Sequence, residues 1–153
     1  MALTIVDWQN PIFKMKSSDV LPKDIKHVVY LAEKMINLAR ENKISGLSAV
    51  QCGILMRLFV FKSKKFNQWL IVINPKITTY GLPRPAIETS INTDRLYVPV
   101  VRYDSVVLDY FDMLIGFSTI STFTGADAHM IQHMDDYLQG RAIFDQLINP
   151  FKI

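Results

Sequence analysis

The apolar residues of this chain change period, and that change limits the folds open to it. From Ile25 they recur at Val28, Val29, Ala32, Met35, Ile36 and Ala39. Spacings of three and four put such residues on one face of a helix. The pattern predicts a helix from Ile25 to about Asn42–Lys43, ahead of Gly46. Residues 17–24 read as the loop before it, with Pro22 suited to a first turn. Beyond Gly46 the apolar residues come in short β-branched and aromatic runs: Arg57–Lys62, Trp69–Asn74, Leu96–Val101, Ser105–Phe111 and Ser118–Phe123. These read as strands. Pro75 ends the second, Lys76–Tyr80 continues it after a bend, and Pro83 and Pro85 read as a rigid loop. A helical period returns from about Ala126 to Leu138. Thr124 and Asp127 are placed to cap it, and Gly140 sits where a left-handed stop is expected. Helix, strands, then helix is the order of an α+β domain.

Composition bounds the rest. At 153 residues, residues 1–153 are expected to form a single domain. Half the residues are apolar and a fifth are charged, which excludes a disordered or fibrous chain. No apolar run approaches the roughly 18 residues that span a bilayer. The single cysteine, Cys52, forbids an intrachain disulfide and suggests a reducing compartment. Residues 1–8 have neither the basic start and apolar core of a signal peptide nor the Arg-rich bias of a transit peptide, so a cytoplasmic location is expected. A net charge of +3 gives little reason to expect nucleic acid as a partner. The basic cluster Lys62, Lys64 and Lys65, beside Phe66, reads as a solvated turn between strands.

Three short segments carry groups with chemical potential. They are Gly46-Leu47-Ser48-Ala49-Val50-Gln51, Glu88-Thr89-Ser90-Ile91-Asn92, and Gln132-His133-Met134-Asp135-Asp136-Tyr137-Leu138-Gln139-Gly140. Singly, each has an ordinary reading: a packed turn, a loop, and a helix with one hydrogen-bonded His and a solvated acidic face. Together, in this order and at these intervals, they resemble the peptide deformylase family. That family removes formyl from N-terminal formylmethionine, and its pattern is G-x-G-x-A-A-x-Q, then E-G-C-L-S, then Q-H-E-x-D-H-L-x-G. The resemblance covers nearly the whole chain. It implies an α+β fold with small antiparallel sheets packed around a C-terminal site helix, and a long N-terminal helix.

The resemblance also assigns positions. Ser90, His133 and Tyr137 stand where the family holds its Fe or Zn, with Ser90 in place of Cys and Tyr137 in place of the second His. Met134 stands where the family has the Glu that takes a proton from water. Gln51 and the backbone N–H of Ile91 stand at the oxyanion positions. Gly46 and Thr89 stand along the peptide path, and Thr89 replaces a Gly there. Glu88 and Arg102 match a supporting charged pair, and Asp136 and Gly140 match as well. Metal ligands must be thiolate, carboxylate or neutral imidazole. A serine hydroxyl and a phenol are poor substitutes, and a thioether accepts no proton at neutral pH. No cofactor is therefore expected.

Three functions follow as expectations. The first is an inactive deformylase-like protein that binds an N-terminal peptide or a translation-related partner. The second is a hydrolase with a rebuilt site, using His133 and His129, which are four residues apart and so on one helix face. The third is a structural or assembly module. The oligomeric state is not legible. Little sequence after the last helix remains to form a long C-terminal helix, and the Met residues read as core.

Overall fold

The run Leu58-Phe59-Val60-Phe61 is buried at every position, which happens when a strand is covered on both faces. The computed structural model of the chain, which describes residues 2–93, 96–113 and 115–145, shows what covers it. Among the described residues the order is α1 (Ile25–Glu41), β1 (Gly46–Ser48), β2 (Leu58–Ser63), β3 (Gln68–Thr89), β4 (Tyr97–Asp112), β5 (Phe117–Thr124) and α2 (Gly125–Leu138). The strands join in chain order into one antiparallel sheet. Two register shifts in the β3–β4 ladder, at Ile73/Lys76 and Tyr80/Pro83, divide it into shorter segments.

The two helices lie on opposite faces. Val28, Ala32, Met35 and Ala39 of α1 pack with Leu58 and Val60 of β2 and Ile73 of β3. Alternate residues point the other way. Phe59, Phe61 and Val72 therefore meet Ala128, Ile131, Met134, Tyr137 and Leu138 of α2, together with Val98, Val106 and Leu108 of β4. The chain is thus α+β, with α2 buried on nine of its residues and the N-terminal helix long, as the sequence indicates. No helix among the described residues is long and apolar enough to cross a membrane.

Four local expectations are corrected. Gly46–Ser48 is a short strand at the sheet edge, not a turn. Lys76–Tyr80 does continue β3 past a register shift, but Pro75 does not end that strand, and Pro83 and Pro85 lie within it instead of in a loop. Pro83 faces Tyr103 and Pro85 faces Val101. The two strand candidates around Arg102 likewise merge into β4. Thr124 makes no side-chain cap, and Asp127 reaches the β2–β3 turn instead. Its carboxylate accepts from Ser63 Oγ at 3.0 Å and from the Lys64 and Lys65 backbone N–H groups at 2.9 and 3.0 Å. The basic turn is therefore tied to α2 by a buried acid. Gly140 does stop the helix, at φ +77°. A Cβ there would also press on the Lys14 and Met15 carbonyl groups at 3.1 Å, so position 140 needs glycine twice over. The expectation about a C-terminal helix falls on residues 146–153, outside the described residues.

Candidate functional site

The three sequence segments converge at one cleft. β1 forms one wall, the end of β3 and the turn Ile91–Thr93 form the other, and α2 forms the floor. The cleft holds about 300 Å³, and Gly46, Gln51, Thr89, Ser90, Ile91, His133 and Met134 all line it. Met130, one helical turn before Met134, lines it too. A Cβ on Gly46 would run into the Met130 sulfur, so glycine there makes room for this side chain. Met130 and Met134 are thus cleft residues as well as packing residues. His129 does not line the cleft, and its buried Nε2 has no hydrogen-bond partner.

Beneath the cleft a chain of uncharged groups is bonded end to end. Tyr137, fully buried, donates its hydroxyl to Ser90 Oγ at 2.7 Å. Ser90 donates to Asn92 Oδ1 at 3.0 Å, and Gln51 Nε2 donates to the same oxygen at 2.8 Å. His133 Nε2 stands 3.3 Å from the Tyr137 oxygen, its ring stacked on the phenol. Gln51 is held from its other end: Oε1 accepts the Ser48 N–H at 2.9 Å in a capping box. Asn92 also donates to the Val6 carbonyl at 2.6 Å, so the N-terminal arm is tied to the site floor.

Behind His133 is a charged brace. Arg102 forks onto Glu88 at 2.7 and 2.9 Å and reaches Asp136 at 2.6 Å. His133 Nδ1 is 3.4 Å from Glu88 Oε1. Burial works against the Arg102 charge, but the two carboxylates outweigh it and raise its pKa. Burial dominates for His133, which falls to about 4 and is therefore neutral at pH 7. Burial also pushes the Tyr137 phenol above its ordinary value, although the Ser90 contact pulls the other way. Cys52, beside Gln51 in sequence, is pushed up to about 12 by burial and is an inert thiol at neutral pH.

This donor set does not fit a divalent metal. Donors bound at about 2.0–2.3 Å to a common tetrahedral ion stand more than about 3 Å apart. Ser90 Oγ and Tyr137 Oη are instead 2.7 Å apart and bonded to each other. Both are protonated, and only His133 is a good ligand. Among the described residues no group of three His, Cys, Asp or Glu side chains is placed to hold a metal ion. Among the described residues no carboxylate lines the cleft either. The imidazole that lines it, His133, has a pKa near 4, which makes it too weak to take a proton from water at pH 7.

Asn92, to which the sequence assigned no role, joins Gln51, Ser90 and Val6 at the site. A serine hydroxyl that accepts the backbone N–H two residues on is a local hydrogen-bonding motif, and the Asn92 N–H donates to Ser90 Oγ at 3.3 Å. Its contact with Val6, 86 residues away, leaves no mark on the local sequence.

Comparison with known proteins gives a consistent result. The family model for polypeptide deformylase matches residues 2–152. The peptide deformylase of Finegoldia magna is 34% identical, over 97% of this chain and 92% of its own. Peptide deformylase 1B, chloroplastic/mitochondrial, of Arabidopsis thaliana is 29% identical over 95% of this chain, which spans about half (54%) of that protein. The crystal structure of the peptide deformylase from Thermotoga maritima superposes with a TM-score of 0.85 at 25% identity, covering 95% of this chain and 97% of that one.

Proposed function

The chain belongs to the polypeptide deformylase family, and from that premise we propose that it is a member that binds without hydrolysing. It holds an N-terminal peptide, or a translation-related partner that presents one, in the cleft between β1 and Thr89–Ile91, and it works in the cytoplasm. The observation that carries this reading is the closed His133–Tyr137–Ser90 cluster under a cleft that no carboxylate of the described residues lines. A family hydrolase at this position needs a metal-activated water and a base to take its proton. Ser90, Tyr137 and Met134 supply neither. Ligand recognition needs less. The backbone edge of β1, the Gln51 amide and the Ile91 N–H are in place, and the apolar side chains Ile44, Met130 and Met134 offer contact. Glu88, Arg102 and Asp136 keep the floor rigid.

The test uses the untagged chain purified without oxygen. Elemental analysis is expected to find no stoichiometric Fe, Zn, Ni or Co, and formylmethionyl peptides are expected to bind without turnover. Metal-dependent release of formate by the natural sequence would overturn the reading. Absence of saturable peptide binding would turn it towards an assembly role.

A further inference from the structure

Elsewhere around α2 lies a second hollow, which shares no lining residue with the cleft and is independent of the cleft reading. It holds about 460 Å³, within the range of small-ligand sites, roughly 300–1,000 Å³. Asp135 lines it from the last turn of α2, Lys76 from β3, and Arg57 from the residue before β2.

Among the described residues, four buried side-chain nitrogen or oxygen atoms lack a hydrogen bond, and two of them belong to this hollow. The first is Asp135 Oδ1, on a residue only 5% exposed. An ionised carboxylate accepts hydrogen bonds and donates none, so this oxygen needs a donor that the described residues do not supply. The second is Arg57 Nε, which lies 2.8 Å from Asp19 Oδ1, near enough for an ion pair but out of line for a hydrogen bond. Arg57 Nη2 is taken by the Pro75 carbonyl. The Lys76 ammonium pairs with no carboxylate among the described residues. The hollow therefore presents an acceptor that lacks a donor and two cationic donors that lack aligned acceptors. Buried polar atoms are rarely left so, and each one calls for an explanation.

The mixed charge restricts what can fill the space. A metal ion would meet Arg57 and Lys76, and a simple anion would meet Asp135 and Asp19. A ligand that carries both charges answers both demands. Its ammonium donates to Asp135 Oδ1, and its carboxylate accepts from Arg57 Nε and Lys76 Nζ, each bond assisted by charge. The carbonyl ends of the last turn of α2 favour the ammonium as well. Pro75 and Ile77 give an apolar wall for a side chain. We propose that this hollow binds a free amino acid with an apolar side chain, held as its zwitterion. So small a ligand is expected to bind with a Kd of roughly 0.1–5 mM.

Two-dimensional NMR of the full natural chain tests this, with titrations to about 50 mM at constant ionic strength and about pH 7. The probes are L-leucine and two analogues that each lack one of its charges, leucinamide and 4-methylpentanoate. L-leucine is expected to shift the amide signals of Lys76, Asp135 and Gln139 saturably and to leave those of Gly46 and Thr89 in place. Both analogues are expected to bind at least about tenfold more weakly. Asp135→Asn and Lys76→Ala are each expected to weaken L-leucine by at least about fivefold. Lys76 is exposed, so its variant serves alone should Asp135→Asn lose its dispersed spectrum. No saturable shift with L-leucine overturns the proposal. So do shifts confined to the cleft, analogues that bind as well as L-leucine, or an affinity that either folded variant leaves unchanged.

Discussion

His133 and Asp135 sit two residues apart on α2, and burial shifts their protonation in opposite senses. His133 falls from 6.5 to about 4, because burial outweighs the attraction of Glu88. The folded chain therefore resists protonating it, so the stability it supports is present above pH 6.5 and is lost as pH falls towards 4. Asp135 rises from 3.8 to about 6, again through burial, with Arg57 opposing, and its Oδ1 has no hydrogen-bond partner. Here the folded chain holds the proton, so stability falls as pH rises from 3.8 to 6. Each shift of about two units corresponds to roughly 3 kcal/mol. Between pH 4 and 6 the two largely cancel. Urea unfolding across that range is expected to show a nearly flat profile for the natural chain. Asp135→Asn is expected to unmask a rise in stability with pH and to gain stability at pH 8, whereas His133→Asn leaves a fall. Equal slopes in all three proteins would refute both assignments. Tyr137→Phe removes the hydroxyl that joins His133 to Ser90, and unfolding is expected to record a loss of about 1–3 kcal/mol. Gln51, Ser90, His133 and Tyr137 were legible in the sequence because their spacing matched a pattern. Asn92 was not, because its role depends on partners far along the chain.

At the scale of elements, both helices were legible from their apolar period, and so was the strand through Pro99, while β3 was misjudged at Pro75, Pro83 and Pro85. A proline ends a strand only if its missing N–H would have faced a neighbour. Pro83 and Pro85 turn that side away from β4, which a one-dimensional pattern does not record. The same limit applied at Asp127. Its position three residues after Thr124 suggested a cap, yet three donors from the β2–β3 turn occupy it. Asp127→Ala is expected to leave that turn's two N–H groups and the Ser63 hydroxyl unpaired, at a cost of about 2–3 kcal/mol. Hydrogen exchange at Lys64 and Lys65 is expected to quicken by more than exchange in β3, because the bond is local. Uniform quickening across the sheet would mean that Asp127 supports α2 as a whole instead.

The whole molecule holds its site from two sides. One core joins α1 to the sheet and a second joins α2 to it, and neither contains a group that depends on a metal. The brace of Arg102, Glu88 and Asp136 keeps the His133 ring oriented from behind, as an outer carboxylate does for a metal-bound imidazole. A scaffold of this kind keeps its shape when the groups under the cleft change. Ser90→Cys, Met134→Glu and Tyr137→His together are therefore expected to convert the neutral cluster into one able to bind zinc or iron without rebuilding the fold. Elemental analysis is expected to approach one metal per chain, and thermal unfolding to shift upward with added Zn²⁺ and back with chelator. Ligand that binds only the folded chain stabilises it by RT ln(1 + [L]/Kd), so a free metal concentration 100 times Kd is worth about 2.7 kcal/mol. A folded triple variant that takes up no metal would mean that the Asn92 bonds to Val6 and Gln51 fix the second segment at a spacing from α2 that suits the Ser90–Tyr137 contact and not a metal. Adding Asn92→Ser to that variant separates this cause from a misplaced His133, because only the former would then recover metal.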